Sequence, residues 1–190
     1  MAGTDAGIAI AVTAVHEGVP GHHLQREAAR SSPLASSIAQ LAYNSAYVEG
    51  WANYVERLCE EIGVYDNPYA AIFRRSVLGH SLIVDPAIHA KRWSRDRVLA
   101  YLRGLGESDE EAEDLIDRIA VQPAQLTSYE YGGLEILRLR ERAKAALGSR
   151  FDIREFHRRI LENGAVPLTI LREQIDEWAK TAEGIQPEAR

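Results

Sequence analysis

Residues 16–25 read His-Glu-Gly-Val-Pro-Gly-His-His-Leu-Gln and bring three histidines and a carboxylate into a short stretch. A histidine followed directly by a glutamate, with another histidine within two helical turns, is typical of a metal site with an adjacent general base. The common zincin spacing puts the two histidines four residues apart on one helix face. Here the second histidine is His22, six residues after His16, or His23, seven residues after it. In an unbroken helix the first pair would point about 120° apart and the second would lie roughly 10 Å apart, so neither pair suits one metal ion.

Pro20 changes this expectation, because its ring would clash with the carbonyl of His16 in a helix and it has no N–H to donate. Gly21 beside it tolerates almost any backbone conformation. We therefore predict that residues 19–21 bulge out of the helix and let His22 take the place of the usual second ligand. The alternative is a histidine cluster on an exposed turn that binds no metal.

Length and composition limit the class of protein. The chain has 190 residues, of which 46% are hydrophobic, and a net charge of −6. It can bury a core as one domain, and its negative charge argues against nucleic acid as the main partner. The single cysteine, Cys59, rules out an intrachain disulfide and is expected in the core. No apolar run approaches the ~20 residues of a membrane span, and residues 8–15 lack a basic segment before them, so we expect a cytoplasmic protein with no membrane partner.

The periodicity of the chain is helical nearly throughout, which predicts a single all-α domain over residues 1–183 and a disordered tail over residues 184–190. The most regular segment covers residues 34–62, where apolar side chains recur every three or four positions. A polar line runs beside them and consists of Glu49, Asn53, Glu56 and Glu60. Gly50 interrupts this helix at a cost of about 1 kcal/mol relative to alanine. It predicts the close approach of another backbone, such as that of the histidine helix.

Capping patterns predict the other helix boundaries. A helix over residues 69–84 should end before Pro86, so that Asp85 can cap a short segment carrying His89. Helix starts are predicted at Ser94, Ser108 and Asp152. A helix over residues 124–147 contains two tyrosines and the paired glycines 132–133, which suggest a tight helix contact.

A catalytic metal needs a third protein ligand, and Glu49 is our candidate because it lies on the next helix beside the Gly50 contact. Two imidazoles and a carboxylate are a known catalytic zinc set. Glu17 would act as the general base on a water molecule that attacks a carbonyl. The candidate donors for the resulting oxyanion are Tyr129, Tyr131 and His89.

Four stretches together resemble the bacterial family called domain of unknown function 885. They are residues 16–25, residues 49–52 (Glu-Gly-Trp-Ala), residues 151–157 (Phe-Asp-Ile-Arg-Glu-Phe-His) and residues 164–168 (Gly-Ala-Val-Pro-Leu). The resemblance extends over about residues 10–178. It implies a helical zinc metallopeptidase related in architecture to angiotensin-converting enzyme and the thimet-type oligopeptidases.

The resemblance also implies roles for single residues. The second histidine of those relatives follows a glycine, which favours His22 over His23 as the ligand. Their third ligand is a glutamate on the following helix, which corresponds to Glu49. Their helical tyrosines stabilise the oxyanion, which points to Tyr129 and Tyr131.

The chain also departs from the family. Glu130 stands where the family more often has a lysine, so substrate preference cannot be carried over. Members usually carry a large helical region before the histidine motif, and we expect that region to form one wall of the cleft.

Three functions remain open from the sequence. The first is a zinc-dependent hydrolase of peptides or small amides. The second is a non-haem iron enzyme that uses the same two histidines and carboxylate. The third is a non-catalytic helical module that forms a homodimer or associates with the missing N-terminal half of a split enzyme.

Overall fold

The structure is a computed structural model that describes residues 2–35, 37–38, 43–67, 69 and 79–184. These residues form helices and no strand, so the predicted all-α fold is confirmed. The helices are α1 (Ala2–Glu17), α2 (His22–Ser31), α3 (Ser45–Glu61), α4 (Ser81–His89), α5 (Arg95–Gly104), α6 (Asp109–Val121), α7 (Gln125–Leu147), α8 (Ile153–Leu161) and α9 (Leu168–Gly184). The helix predicted over residues 69–84 and the tail after residue 184 fall largely outside the described residues. Among the described helices, none has both the length and the apolar character that crossing a bilayer requires.

Helices α3 and α7 form the most extensive helix pair of the fold. Gly50 of α3 faces Gly132 of α7 so closely that a Cβ atom on Gly50 would lie 2.6 Å from the Gly132 Cα atom. A Cβ atom on Gly132 would overlap the Ala46 carbonyl oxygen, and one on Gly133 would overlap the Asn53 side chain. The predicted close contact at the paired glycines is confirmed. The backbone that approaches Gly50 belongs to α7, however, and not to the histidine helix α1.

Two apolar cores pack around this helix pair. The first joins α3 to α7, α8 and α9 and includes Tyr47, Trp51, Tyr54, Ile136, Leu139, Phe156, Ile160, Leu171 and Ile175. The second joins α4, α5 and α6 to the start of α7 and includes Val84, Val98, Leu102, Ala112, Ile116, Ile119 and Leu126. Full burial of each large side chain stabilises the fold by about 1.5–3 kcal/mol. Cys59 is buried, as predicted.

The predicted capping residues act as expected. Ser94, Ser108 and Asp152 accept backbone N–H groups in the first turns of α5, α6 and α8. Ser108 and Glu111 form a complete capping box. Each cap satisfies a donor that has no partner within its helix, which is worth about 1 kcal/mol.

The long helix predicted over residues 34–62 begins only at Ser45. Asn44 precedes it in an extended conformation, and its side chain accepts a backbone N–H of the first turn at 3.2 Å. Leu34 and Ile38 are 60% and 80% exposed and do not continue the buried stripe. The prediction was wrong here because the capping side chain of Asn44 competes with a continuous helix.

Pro86 does not end a helix but lies inside α4, on its exposed side. Asp85 does not cap its own segment either. It is buried, and its Oδ2 atom accepts the Ala124 backbone N–H at 2.6 Å. Because Ala124 has a positive φ of 64°, this hydrogen bond fixes the tight turn that leads into α7. Asp85 therefore stabilises the start of a helix that follows it by almost forty residues.

Ion pairs made by two buried glutamates also join α7 to its neighbours. Glu130 pairs with Arg57 of α3 and accepts a hydrogen bond from Asn53 Nδ2 at 3.3 Å. Glu135 pairs with Arg172 of α9 at 2.6 Å. Glu130, the position of reversed charge relative to the family, is thus 7% exposed and holds two helices together.

His157 connects α8 to α3. Its Nε2 atom lies 2.8 Å from the Tyr54 hydroxyl, and its ring packs edge-on against Trp51. Burial, together with the positive charge of Arg140, lowers the pKa of His157 to about 4. The imidazole is therefore neutral in the folded protein at physiological pH.

We expect Gly132→Ala to destabilise the protein by more than about 2 kcal/mol, because the added methyl group forces α3 and α7 apart. Gly104→Ala is the matched control, since a Cβ atom at Gly104 of α5 meets nothing within 4 Å. It should leave the free energy of unfolding unchanged or raise it by up to about 1 kcal/mol. Urea denaturation of the two variants measures the difference, and equal stabilities would contradict the glycine contact.

His157 should also make stability depend on pH. Its pKa is about 4 in the folded state and about 6.5 when unfolded, so its stabilising contribution is present above pH 6.5 and is lost as the pH falls toward 4. Allowing for partial solvent access, we expect a loss of about 1–2 kcal/mol from this group. His157→Gln can still accept the Tyr54 hydrogen bond but takes up no proton. The variant should therefore lose less stability than the wild type between pH 7 and pH 4; parallel curves would contradict the assignment.

Candidate metal centre

The chain breaks between the two histidines, as the sequence predicts, but the break is complete. Helix α1 ends at Glu17, residues 18–21 form turns, and a separate helix α2 starts at His22. A Cβ atom on Gly21 would overlap the carbonyl oxygen of His16, so only glycine fits this turn. The indole Nε1 of Trp51 donates a hydrogen bond to the Pro20 carbonyl oxygen at 2.9 Å and attaches the turn to α3.

The structure brings together the three residues predicted as metal ligands. Glu49 Oε2 lies 3.4 Å from His16 Nε2 and 3.3 Å from His22 Nε2. One ligand atom from each of the three residues lies within 4.8 Å of the others. Glu49 and His22 are buried, whereas His23 is exposed. The arrangement thus favours His22 over His23 as the second donor.

These three donors fit a divalent metal such as zinc. Glu49 Oε2 is buried and makes no well-directed hydrogen bond among the described residues, although two imidazole nitrogens face it. Two ligand atoms each about 2.1 Å from one tetrahedral ion lie about 3.4 Å apart, close to the separations seen here. Nitrogen and carboxylate oxygen are donors that zinc prefers. The site residues therefore have the chemistry and the spacing for a metal.

The other nitrogen of each imidazole has its own partner. His16 Nδ1 lies 2.6 Å from Glu56 Oε1. His22 Nδ1 lies 3.2 Å from Gln25 Oε1, and Gln25 Nε2 donates to the Tyr47 carbonyl oxygen at 3.4 Å. A neutral imidazole whose Nδ1 donates carries its lone pair on Nε2, so a metal ion bound beside Glu49 would meet one lone pair from each histidine. This pattern of oriented histidines is typical of metal sites.

The ionisable groups of the cluster shift one another's pKa values. Burial opposes protonation of His16, but contacts with the Glu49 and Glu56 carboxylates outweigh it and raise the pKa of His16 to about 9. Burial likewise opposes ionisation of Glu49, yet contacts with both imidazoles hold the pKa of that carboxyl well below its usual range. At neutral pH the metal-free cluster therefore holds a protonated His16 between two carboxylates. A metal ion would replace that proton.

Of the two predicted tyrosines, Tyr129 faces the cluster. Its ring stacks on His16 with the ring centroids 5.9 Å apart, and its hydroxyl accepts a hydrogen bond from Gln125 Nε2 at 3.2 Å. Burial and the nearby charge of Glu49 raise the pKa of Tyr129, so its hydroxyl keeps its proton at neutral pH. Tyr131 is two residues further along α7 and 48% exposed. Side chains separated by two residues on a helix point about 200° apart, so Tyr131 points away from the side that Tyr129 faces.

The remaining predicted residues are placed differently. Glu17 follows His16 at the end of α1 and is exposed to solvent. The Nε2 atom of His89, a candidate oxyanion donor, lies 3.1 Å from the Ile119 carbonyl oxygen. That hydrogen bond joins α4 to α6 and gives His89 a structural role.

Two residues of the site were missed from the sequence. The Tyr43 hydroxyl donates to Glu49 Oε1 at 2.5 Å; burial and this contact raise the pKa of Tyr43 to about 12. Tyr43 precedes α3 and follows no periodic pattern that would reveal it. Glu56 did carry a signal, because it follows Glu49 by two helical turns on the polar line of α3.

Several solved structures are similar to this chain, including those of two bacterial proteins. One is described as a "putative lipoprotein from Colwellia psychrerythraea"; it is 35% identical, has a TM-score of 0.81, and matches over 90% of this chain and 30% of its own. The other, from Shewanella oneidensis, is described as a "putative lipoprotein of unknown function"; it is 31% identical, has a TM-score of 0.74, and matches over 85% of this chain and 30% of its own.

The chain thus spans about a third of the length of the two solved structures. Proteins of curated function give no match. Residues 6–175 match the family described as "Bacterial protein of unknown function (DUF885)". This match covers most of the chain and agrees with the resemblance of its four motifs. The chain belongs to the DUF885 family.

Proposed function

We propose that this chain carries the metal centre of a zinc-dependent hydrolase that cleaves peptide or small amide bonds. The proposal rests on one observation: two imidazole nitrogens, of His16 and His22, lie 3.4 and 3.3 Å from the same buried oxygen of Glu49. Without a metal this arrangement buries several ionisable groups for no evident structural gain, since removing such groups is often neutral or stabilising.

Zinc bound to this set would polarise a carbonyl group and lower the pKa of a water molecule. Hydrolysis then adds the water hydroxyl to the carbonyl carbon, breaks the C–N bond and transfers a proton to the leaving nitrogen. Glu17 is the base that takes the proton from the attacking water and gives it to that nitrogen. Its position next to His16, with its side chain open to solvent, supports this role.

Tyr129 is the donor that stabilises the carbonyl oxygen as negative charge develops on it. Its hydroxyl accepts from Gln125 Nε2, so its proton is directed to the other side, where Glu49 and the ligand set lie. Stacking on His16 holds its ring beside the ligand set. Tyr131 and His89 have no part in this mechanism.

Glu56 and Gln25 are positioning residues. Each holds the Nδ1 atom of one histidine and so fixes the direction of the Nε2 lone pair. Tyr43 does the same for the carboxylate of Glu49 by binding Oε1, which leaves Oε2 to face the imidazoles.

Association with further protein is also proposed. Ile10, Val19 and Leu34 are 69%, 64% and 60% exposed, and such apolar surface supports either a homodimer or contact with a helical region like that of the longer relatives. The cytoplasmic location remains a prediction. The description of two relatives as lipoproteins is a reason to test it by cell fractionation.

The ligand assignment predicts that the protein binds about one equivalent of zinc. His16→Ala, His22→Ala and Glu49→Gln should each weaken zinc binding by at least about 100-fold, because each removes a donor. His23→Ala is the matched control and should bind like the wild type. Elemental analysis and competition with a chromophoric chelator measure both. Loss of zinc in His23→Ala with retention in His22→Ala would contradict the assignment, and stoichiometric iron with oxygen consumption would favour the non-haem iron alternative.

Glu17→Gln should keep the metal and lower kcat for peptide hydrolysis by about 10²–10⁴-fold, since the neutral amide cannot accept a proton. Steady-state hydrolysis of a mixed peptide library, followed by mass spectrometry, measures this. Undiminished hydrolysis by the variant would exclude Glu17 as the base. A zinc-loaded wild type that cleaves nothing would favour the non-catalytic module.

A further inference from the structure

Arg118 lies in the last turn of α6 and is exposed. Its guanidinium donates to the neutral side-chain oxygen of Gln125 at 3.1 Å, and no carboxylate among the described residues pairs with it. By contrast, Arg57, Arg140 and Arg172 each form an ion pair. Arg118 thus has no carboxylate within ion-pairing distance among the described residues, although α6 also carries Asp114 and Asp117.

Two hydrogen bonds connect this charge to the metal centre. Arg118 donates to Gln125 Oε1, and the Nε2 atom of the same amide donates to the Tyr129 hydroxyl at 3.2 Å. The guanidinium nitrogen is therefore within about 9 Å of the Tyr129 oxygen. Tyr129 in turn stacks on His16. The Gln125 amide therefore fixes the distance between the Arg118 guanidinium and the Tyr129 hydroxyl.

A guanidinium is well suited to a carboxylate, which it binds through two parallel hydrogen bonds. One residue of an extended peptide spans about 3.3–3.6 Å. If the scissile carbonyl lies at the Tyr129 hydroxyl, a group one or two residues further along the substrate reaches Arg118.

We propose that Arg118 binds the free terminal carboxylate of the substrate, one or two residues on the leaving-group side of the bond that is cut. The inference rests on the proposed function and narrows its substrate class to short peptides cut near the C-terminus and N-acyl amino acids. The opposing explanation is that Arg118 only offsets the negative end of α6.

The test compares acetylated dipeptides and tripeptides that carry a free carboxylate with the same compounds as primary amides. The zinc-loaded wild type should prefer the acids, and Arg118→Gln should lower the acid-to-amide ratio of kcat/KM by about 10-fold or more, mainly through KM. Arg118→Lys should keep part of the ratio. Arg154→Gln, an exposed arginine of α8, should keep all of it. An unchanged ratio in Arg118→Gln, or a wild type without preference, would overturn the inference while leaving the proposed function intact.

A second measurement is independent of hydrolysis. N-acetylphenylalanine should bind the metal-free protein more tightly than N-acetylphenylalaninamide, and Arg118→Gln should lose that preference; calorimetric titration measures both. If the zinc-loaded protein hydrolyses none of the substrates, the proposed function fails, and this titration alone decides the carboxylate site. Equal binding of the acid and the amide would overturn it.

Discussion

The close approach of α3 and α7 is the constraint on which the rest of the structure depends. At Gly50 and Gly132 the two backbones meet with no side chain between them. Glu49 stands immediately before one glycine, and Tyr129 stands three residues before the other. The same contact that joins the two cores therefore sets the distance between a candidate ligand and a candidate oxyanion donor. An increase in the distance between α3 and α7 would therefore also increase the distance between Glu49 and Tyr129.

Charge compensation is the second organising principle. The buried carboxylates of the helix pair each have a cationic or polar neighbour: Glu130 has Arg57, and Glu135 has Arg172. The cluster of Glu49, Glu56 and His16 is different, since two carboxylates share one imidazole. Burying more negative than positive charge is costly, so a divalent cation would offset the excess negative charge of this cluster. The structural ion pairs need no such addition.

The sequence predicted those features that depend on neighbouring residues. Helix starts at Ser94, Ser108 and Asp152 follow from local capping, and the break before His22 follows from the proline and glycine that precede it. The fold class and the family followed from periodicity and motifs. The convergence of His16, His22 and Glu49 was also anticipated, although metal binding itself remains a prediction.

Features that depend on contacts between residues far apart in the sequence could not be predicted from local patterns. Asp85 stabilises a turn at Ala124, and the partner of Gly50 lies on α7; neither relation has a signature in local spacing. The capping action of Asn44 was visible in principle, but the apolar repeat on both sides of it concealed the interruption. The role of Tyr43 depends on its contact with Glu49 in the folded chain, and no sequence pattern indicates that contact.

The hydrogen bond from Trp51 to the Pro20 carbonyl has one more consequence. In a standard zincin both histidines lie on one continuous helix, so the number of residues between them cannot vary. Here the segment that carries His22 is attached to α3, the helix that also supplies Glu49. The second and third donors therefore move as one unit, and the first is brought to them. The tight turn and its attachment to α3, and not the periodicity of one helix, therefore set the distance between the two histidines, which allows a spacing of six where four is the rule.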